Sequence, residues 1–248
     1  MEIRWIRHDN LTSTNQLMYE MLKHQKLQEG LVVIADYQET GKGQGSNSWH
    51  SRKGENLLMS LLLFPAFLSA SKQFHLSRVV SVAICDVLES HGAPAMIKWP
   101  NDILCARGKI AGILMEHGIS GRSISHTIAG LGLNLNQSEF PGFPQPASSL
   151  FLETGRKIVP REFAEILVAR IRIYYQKLKD GGEVQLEKEY LQRLFRNGET
   201  SRFEAGGNVF QGIIRGVSDF GELLVEREGE LDSYAHGEIF LKEACRVT

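Results

Sequence analysis

The chain is poor in cysteine, in net charge and in long apolar runs. Its three cysteines, Cys85, Cys105 and Cys245, are far apart, odd in number and not at metal-ligand spacing. That argues against a disulfide framework or a cysteine metal cluster and reads as reduced thiols in a cytoplasmic protein. Lysine and arginine number 28 against 29 aspartate and glutamate, for a formal net charge of -1. Such a balance gives no sign of a broad nucleic-acid-binding surface. The longest apolar stretch, LLMSLLLF at 57–64, is far short of the roughly 20 residues that span a bilayer. It reads as a buried strand. The start, MEIRWIRHDN, has no apolar signal core. No internal repeat or low-complexity segment is evident.

What is present is an ordinary globular composition, 42% hydrophobic and 23% charged over 248 residues. The length suits one large domain, or a large one with a small one. Ser13 and Gln16 have capping-box spacing, and Leu17, Met18, Met21 and Leu22 behind them form a helical apolar face, so a helix is expected over 14–26. LVVIADY (31–37) is a strand, and NLLMSLLLF (56–64) a second, buried on both faces. Apolar residues at helical spacing predict a helix over 71–90. Strand candidates follow at 95–99, 109–117 and 126–136, then a proline-rich loop at 140–149, then helices near 160–179 and 182–196. After Asn197 the texture changes to short strands separated by Gly-containing turns. The expected architecture is α+β: a mixed sheet with helices on one side over 1–197, and a small C-terminal β-barrel over 198–248.

The loop ETGKGQGSNSWHS (39–51) looks built to hold a phosphate. It fails the Walker test, because Asp36 stands where the first glycine belongs and Gly43 where Ser or Thr should follow the lysine. It fails the dinucleotide test at Ser46, and a strand follows instead of a helix. Its glycines still expose backbone N–H groups, and Lys42 adds a cation. A plain hydrophilic connection between strands explains the loop equally well. In KWPNDI (98–103) a strand ends at Lys98 and Trp99, Pro100 stops it, and Asn101 and Asp102 sit in the turn. The plain reading is turn chemistry; the functional one is a carboxylate and an amide offered to magnesium and a nucleotide. Lys109 opens an apolar strand, where a lysine is costly to bury without an anionic partner. GLGLNLN (130–136) carries glycines inside a strand, a mark of close approach by a ligand or another backbone.

Together, in this order and spacing, these pieces resemble the biotin protein ligases. The matching elements are STNQ (13–16), Gln38 with GKGQGSNSW (41–49), KWPND (98–102), KIAGIL (109–114), GLGLN (130–134) and HGEIFL (236–241). KWPND with K-[IL]-A-G-[IL]-L seven residues after its Asp is highly specific, and the resemblance covers essentially the whole chain. It implies a class II aminoacyl-tRNA synthetase-like catalytic fold with an SH3-like C-terminal barrel. It also implies a two-step reaction: biotin attacks the α-phosphate of ATP to give biotinoyl-5′-AMP, and a lysine of a biotin carboxyl carrier protein then takes the biotin. By similarity, Ser13, Thr14, Asn15 and Gln38 contact the biotin head group. Gly41, Lys42 and Gly43 fold over biotin and phosphate. Gln44, Trp49, Lys98, Asn101 and Asn134 serve ATP, Trp49 near the adenine and Asn134 reading it. Asp102 partners Mg2+. Lys109 bonds the reacting carboxylate and phosphate, and Gly112 and Gly132 let ligand approach the backbone. Each has a plain alternative: Lys109 as a salt-bridged strand-end lysine, Trp49 as core packing, Thr14 and Asn15 as helix caps.

Two departures stand out. The fourth residue of the family loop is usually arginine and here is Gln44, with Lys42 where arginine is common. Glutamine loses the charge and the bidentate fork, which implies weaker retention of biotinoyl-AMP. The first family block begins at Ser13, so no winged-helix DNA-binding domain and no DNA partner are expected. No membrane partner is expected either. A homodimer is a common family arrangement that these residues do not spell out. Lipoate protein ligase is the nearest rival, but its R-R-x-S-G-G-G-type loop is absent. A non-catalytic biotin-binding module is the rival of another class.

Overall fold

The computed structural model describes residues 1–45, 47–141 and 146–242. Cys245 and the middle of the proline-rich 140–149 loop lie outside these residues. A seven-stranded mixed sheet forms the frame, in the order β1-β2-β3-β7-β6-β5-β4. β1 (Arg4–His8) runs parallel to β2 (Leu31–Ala35), and every other neighbour is antiparallel. β3 (Leu57–Leu63) is buried at all positions, the continuous burial that its sequence predicts. β4 (Met96–Lys98) and β5 (Asp102–Cys105) form a short hairpin, and β6 (Gly108–Ser120) and β7 (Ser123–Leu133) a long one. β1 and β5 were not anticipated, and Asp102 opens β5 instead of sitting in the preceding turn. β1 reads RWIRH, only half-buried at the sheet edge, so no alternating signal marks it.

The two faces of the sheet are covered differently. α2 (Phe74–Ser90), α4 (Pro160–Lys179) and α5 (Glu183–Arg193) pack on one face and enclose the main core. Asp86 of α2 ties them together, accepting hydrogen bonds from Arg170 and Tyr174 of α4 and Arg193 of α5. α1 (Thr14–His24) lies on the other face, where Met18 packs with Leu31, Val33, Leu62 and Ile128. The alternation along β3 and β7 makes this possible. Met59, Leu61, Ala129 and Leu131 face the main core, while Ser60, Leu62, Ile128 and the glycines of GLG face α1's side.

Ser13 is the α1 N-cap residue, but its side chain makes no capping bond. Gln16 instead reaches Glu20 and Lys42, so the expected capping box does not form. The short α3 (Leu150–Thr154) begins at Ser149, whose hydroxyl accepts from the Leu152 N–H. The C-terminal module is a five-stranded antiparallel sheet in the order β11-β10-β9-β8-β12. It comprises β8 (Thr200–Ala205), β9 (Asn208–Val217), β10 (Leu223–Arg227), β11 (Glu230–Tyr234) and β12 (Ile239–Leu241). Phe203, Ile214, Val217, Leu223, Val225 and Ile239 join the main core, and the module meets α2 at Phe74 and Arg78 and the 98–102 turn at Trp99. Among the described residues no helix is long and apolar enough to cross a membrane.

Candidate active site

On the α1 face, a cavity of about 930 Å³ runs between the ends of β6 and β7, the 38–52 loop, the 98–102 turn and the C-terminal module. All the site residues expected from sequence line it except Gly41, which lies behind, packed against Trp49 and Gln38. Lys42, Arg52, Lys98 and Lys109 contribute four cationic side chains, and Asp102 is the one carboxylate among its described lining residues. That imbalance suits a strongly anionic ligand.

One end of the cavity is a closed hydrogen-bond network. Thr14 donates from its backbone N–H and its hydroxyl to Gln38 Oε1, at 2.7 and 3.1 Å. Ser60 Oγ lies 2.7 Å from Thr14 Oγ1 and donates to Asn15 Oδ1 at 2.5 Å. Asn15 Nδ2 donates to Glu116 at 2.6 Å. A Cβ at Gly130 would collide with the Asn15 amide, so the strand must carry glycine there. Thr14 and Asn15 therefore spend their side chains on Gln38 of the loop after β2, on Ser60 of β3 and on Glu116 of β6, and not as helix caps. Ser60 and Glu116 were missed by sequence reasoning. The signal for Ser60 was its place as the lone polar residue in LLMSLLL.

The other end is built on a β-bulge. Ile103 pairs with Ala111 but Leu104 pairs with Lys109, so β6 carries the extra residue Ile110. Ile110 and Ala111 both enter the main core, and the insertion turns Lys109 onto the cavity face with Asp102 and Gly112. A regular strand would have pointed Lys109 into the core. Lys109 Nζ lies 2.6 Å from Asp102 Oδ1, and both are partly buried. Gly108 is left-handed (φ 142°), and its strand entry pairs with the chain at Pro146 to Ser148. Asn101 donates from Nδ2 to the Ile113 carbonyl at 2.9 Å, which fixes the turn against β6.

Trp49 lies across the glycine path. A Cβ at Gly112 would come within 3.0 Å of its ring, and one at Gly132 would overlap the indole. The ring also lies 5.6 Å from Lys109 Nζ. Lys42 Nζ donates to Gln16 Oε1 at 3.1 Å, and a Lys42–Ser48 bridge closes the glycine loop into a small hairpin. Three buried atoms at this end have no hydrogen-bond partner among the described residues: Gln44 Oε1, Trp49 Nε1 and Asn134 Oδ1. The Asn134 amide is oriented by its Nδ2, which donates to the Ser148 carbonyl at 3.0 Å. Unsatisfied buried donors and acceptors carry a cost that a polar ligand can relieve. The C-terminal module adds Phe203, Ile214, Leu223, His236, Ile239 and Phe240 to the wall. Of these only the HGEIFL stretch had been singled out.

A cationic cavity beside a glycine-faced strand pair, with a lysine–aspartate couple at one end and a polar clamp at the other, is complementary to anionic ligands. Residues 8–134 match the Biotin/lipoate A/B protein ligase family, and residues 198–242 match the Biotin protein ligase C terminal domain. The chain belongs to the biotin/lipoate A/B protein ligase family. The bifunctional ligase/repressor BirA of Bacillus subtilis is 32% identical over 225 residues, 89% of this chain and 69% of that protein. The biotin–[acetyl-CoA-carboxylase] ligase of Paracoccus denitrificans is 32% identical over 200 residues, covering 78% of this chain and 82% of that one. Among solved structures, a biotin protein ligase from Aquifex aeolicus in complex with biotin and ATP superposes with a TM-score of 0.79 at 26% identity. It covers 97% of this chain and 99% of that one.

Proposed function

We propose that this chain is a biotin–protein ligase: it activates biotin with ATP to biotinoyl-5′-AMP and transfers the biotin to a lysine of a biotin carboxyl carrier domain. The observation that carries the reading is the cavity with four cationic side chains to one carboxylate among its described lining residues, closed at its far end by a polar network of Thr14, Asn15, Gln38 and Ser60. Biotin's ureido head offers both donors and acceptors, and Ser13, Thr14, Asn15 and Gln38 supply their complements. Its carboxylate end is assigned to the Lys109 side, and the Trp49 indole that covers Gly112 and Gly132 shifts to admit it.

In the first step a carboxylate oxygen bonds to the α-phosphorus and the bond to the bridging oxygen breaks, releasing pyrophosphate. Lys109 stabilises charge on the carboxylate and on the phosphate, with Lys42 as a second cation from the loop. Lys98, Asn101, Gln44, Trp49 and Asn134 hold the nucleotide, and the free Asn134 Oδ1 suits an amino group such as that of adenine. In the second step the neutral amine of the carrier lysine attacks the carbonyl, and AMP leaves. Gly41 and Gly43 give the loop the freedom to cover the anhydride and keep water out.

No group of three or more metal-ligating side chains exists among the described residues. Magnesium keeps several waters and is commonly held by one or two carboxylates with substrate phosphates, so Asp102 fits a Mg2+ that arrives on the triphosphate. The ion would screen charge between the two anions.

The catalytic domain is assigned to 1–197 and the C-terminal domain to 198–248. The near-zero net charge supports the absence of a DNA partner, and a gel shift with biotin and ATP tests it. Buried, unpaired Cys85 and Cys105 suit the cytoplasm. Pairing of two copies through sheet edges into a homodimer is tested by sedimentation. The ligase itself is tested by pyrophosphate release from MgATP with biotin and with lipoate in parallel, then mass spectrometry of an added carrier domain. Biotin-dependent release and a biotinylated lysine are expected. Release with lipoate alone would transfer the assignment to lipoate, and no release with either would reduce the chain to a binding module.

A further inference from the structure

Arg78 of α2 is fully buried, unusual for an arginine. It lies where α2 and α5 meet the β9–β10 turn of the C-terminal module. Its Nη2 donates to the Val217 carbonyl at 2.6 Å and to Glu187 of α5 at 3.2 Å. Its Nη1 donates to Asp219 Oδ1 at 3.3 Å and to His75 Nδ1 at 3.1 Å. Arginine can only donate, so His75 Nδ1 is an acceptor and the ring is neutral, its proton on Nε2. That nitrogen lies 3.1 Å from the same Asp219 oxygen. The Phe74 N–H donates to the Asp219 carbonyl at 3.2 Å, and a Cβ on left-handed Gly221 would come within 2.9 Å of the Phe74 ring. So buried a charge with this many partners costs much to establish and fixes its neighbours closely.

The turn it fixes reaches the active site. Trp99 Nε1 donates to the Gly221 carbonyl at 2.9 Å. Trp99 stands between Lys98 and the Asn101–Asp102 pair, all of which line the cavity. The bonded path thus runs from Arg78 to the 217–221 turn, to the Trp99 indole, to the 98–102 segment. None of the bonds on it involves Thr14, Asn15, Gln38 or Ser60.

We propose that the β9–β10 turn, latched by Arg78 to Asp219 and joined to Trp99 through the Gly221 carbonyl, is a positioning element for the nucleotide end of the site alone. Arg78, Asp219 and Trp99 are positioning residues, and the C-terminal module acts on ATP through them without acting on biotin. This rests on the ligase reading for the identity of the nucleotide.

Trp99→Phe keeps an aromatic ring, a smaller one, and removes the donor, and Asp219→Asn keeps the shape and removes the charge. Each is to be measured in the full chain for KM of MgATP, KM of biotin and direct MgATP binding by calorimetry, with thermal unfolding alongside. Each single variant is expected to raise the MgATP KM about fivefold, the effect of one lost hydrogen bond, with biotin KM unchanged. The double variant is expected to be no worse than the weaker-binding single, because both act through one path. Unchanged MgATP KM, equal rises for both substrates, or full additivity would overturn the proposal. If the wild-type chain turns over no biotin, the ligase reading falls, while calorimetry still decides the latch: loss of MgATP binding in Trp99→Phe supports it, and equal or absent binding in both proteins defeats it.

Discussion

The two ends of the cavity are built on opposite plans. At the α1 end, Thr14, Asn15, Gln38 and Ser60 satisfy one another across three elements. At the Trp49 end, Gln44, Trp49 and Asn134 each hold a buried polar atom without a partner among the described residues, and one lysine and one aspartate share a short ion pair. A closed network is rigid before any ligand arrives, so the head-group end is preorganised. An end with unmade bonds gains most when they are made. The comparison predicts that damage to the first end shows in biotin affinity and damage to the second in ATP use and in rate.

The largest effect is expected at the second end. Lys109→Ala should lower adenylate formation by roughly 10² to 10³, the range seen when a charge-stabilising donor is removed, with the fold intact by circular dichroism. Full residual activity would break the comparison at its centre. Next is Ser60→Ala, which leaves Thr14 and Asn15 with unmet bonds. Biotin binding should weaken by about ten-fold or more, read by calorimetry without ATP, and a matching change in MgATP KM would erase the distinction between the ends. Asp102→Ala should raise the magnesium requirement of adenylation; an unchanged titration would remove Asp102 from that role. A smaller effect sharpens the second end. Gln44→Arg adds a cation and a fork, and the adenylate off-rate should slow. No slowing would mean that another side chain already retains the intermediate.

The smallest effect lies outside both ends and serves as a control. Burial on β6, with His126 nearby, pushes the His117 imidazole down to about 4, and its Nδ1 sits 2.9 Å from the Thr127 hydroxyl. A histidine with a depressed folded pKa binds its proton more readily when unfolded. Its contribution is therefore present above the ordinary value of about 6.5 and is lost as pH falls toward about 4. His117→Gln should flatten thermal stability over that interval and leave biotin affinity at neutral pH unchanged. Acid sensitivity that persists unaltered would assign the titration elsewhere.

Much of this was readable in the residues. The helix predicted over 160–179 is α4 with the same bounds, because eight buried residues recur at helical spacing behind a proline start. β3 announced itself by a leucine-rich run broken only by Met59 and Ser60. β1 and β5 did not: one is a charged edge strand and the other four residues long, too short for any period to register. The capping-box spacing of Ser13 and Gln16 misled, since Gln16 finds better partners in Glu20 and Lys42. Nearly every residue carried over from the family motifs does line one cavity. Side-chain chemistry and local spacing are properties of the chain, and they identify the family and name the participants.

How the participants meet is not a local property. By strand alternation counted from Gly112, Lys109 belongs in the core. One extra residue, Ile110, opposite the Ile103–Leu104 step turns it toward Asp102. Nothing in KIAGIL marks that bulge, because its cause is the register with β5, a strand that the sequence barely signals. Ser60 and Arg78 share the same condition: the chain marks Ser60 only as a polar residue in an apolar strand and Arg78 not at all, and the roles come mainly from partners 45 to 141 residues away. Long-range register and burial are set by the whole packed molecule, so they become visible only when it has folded.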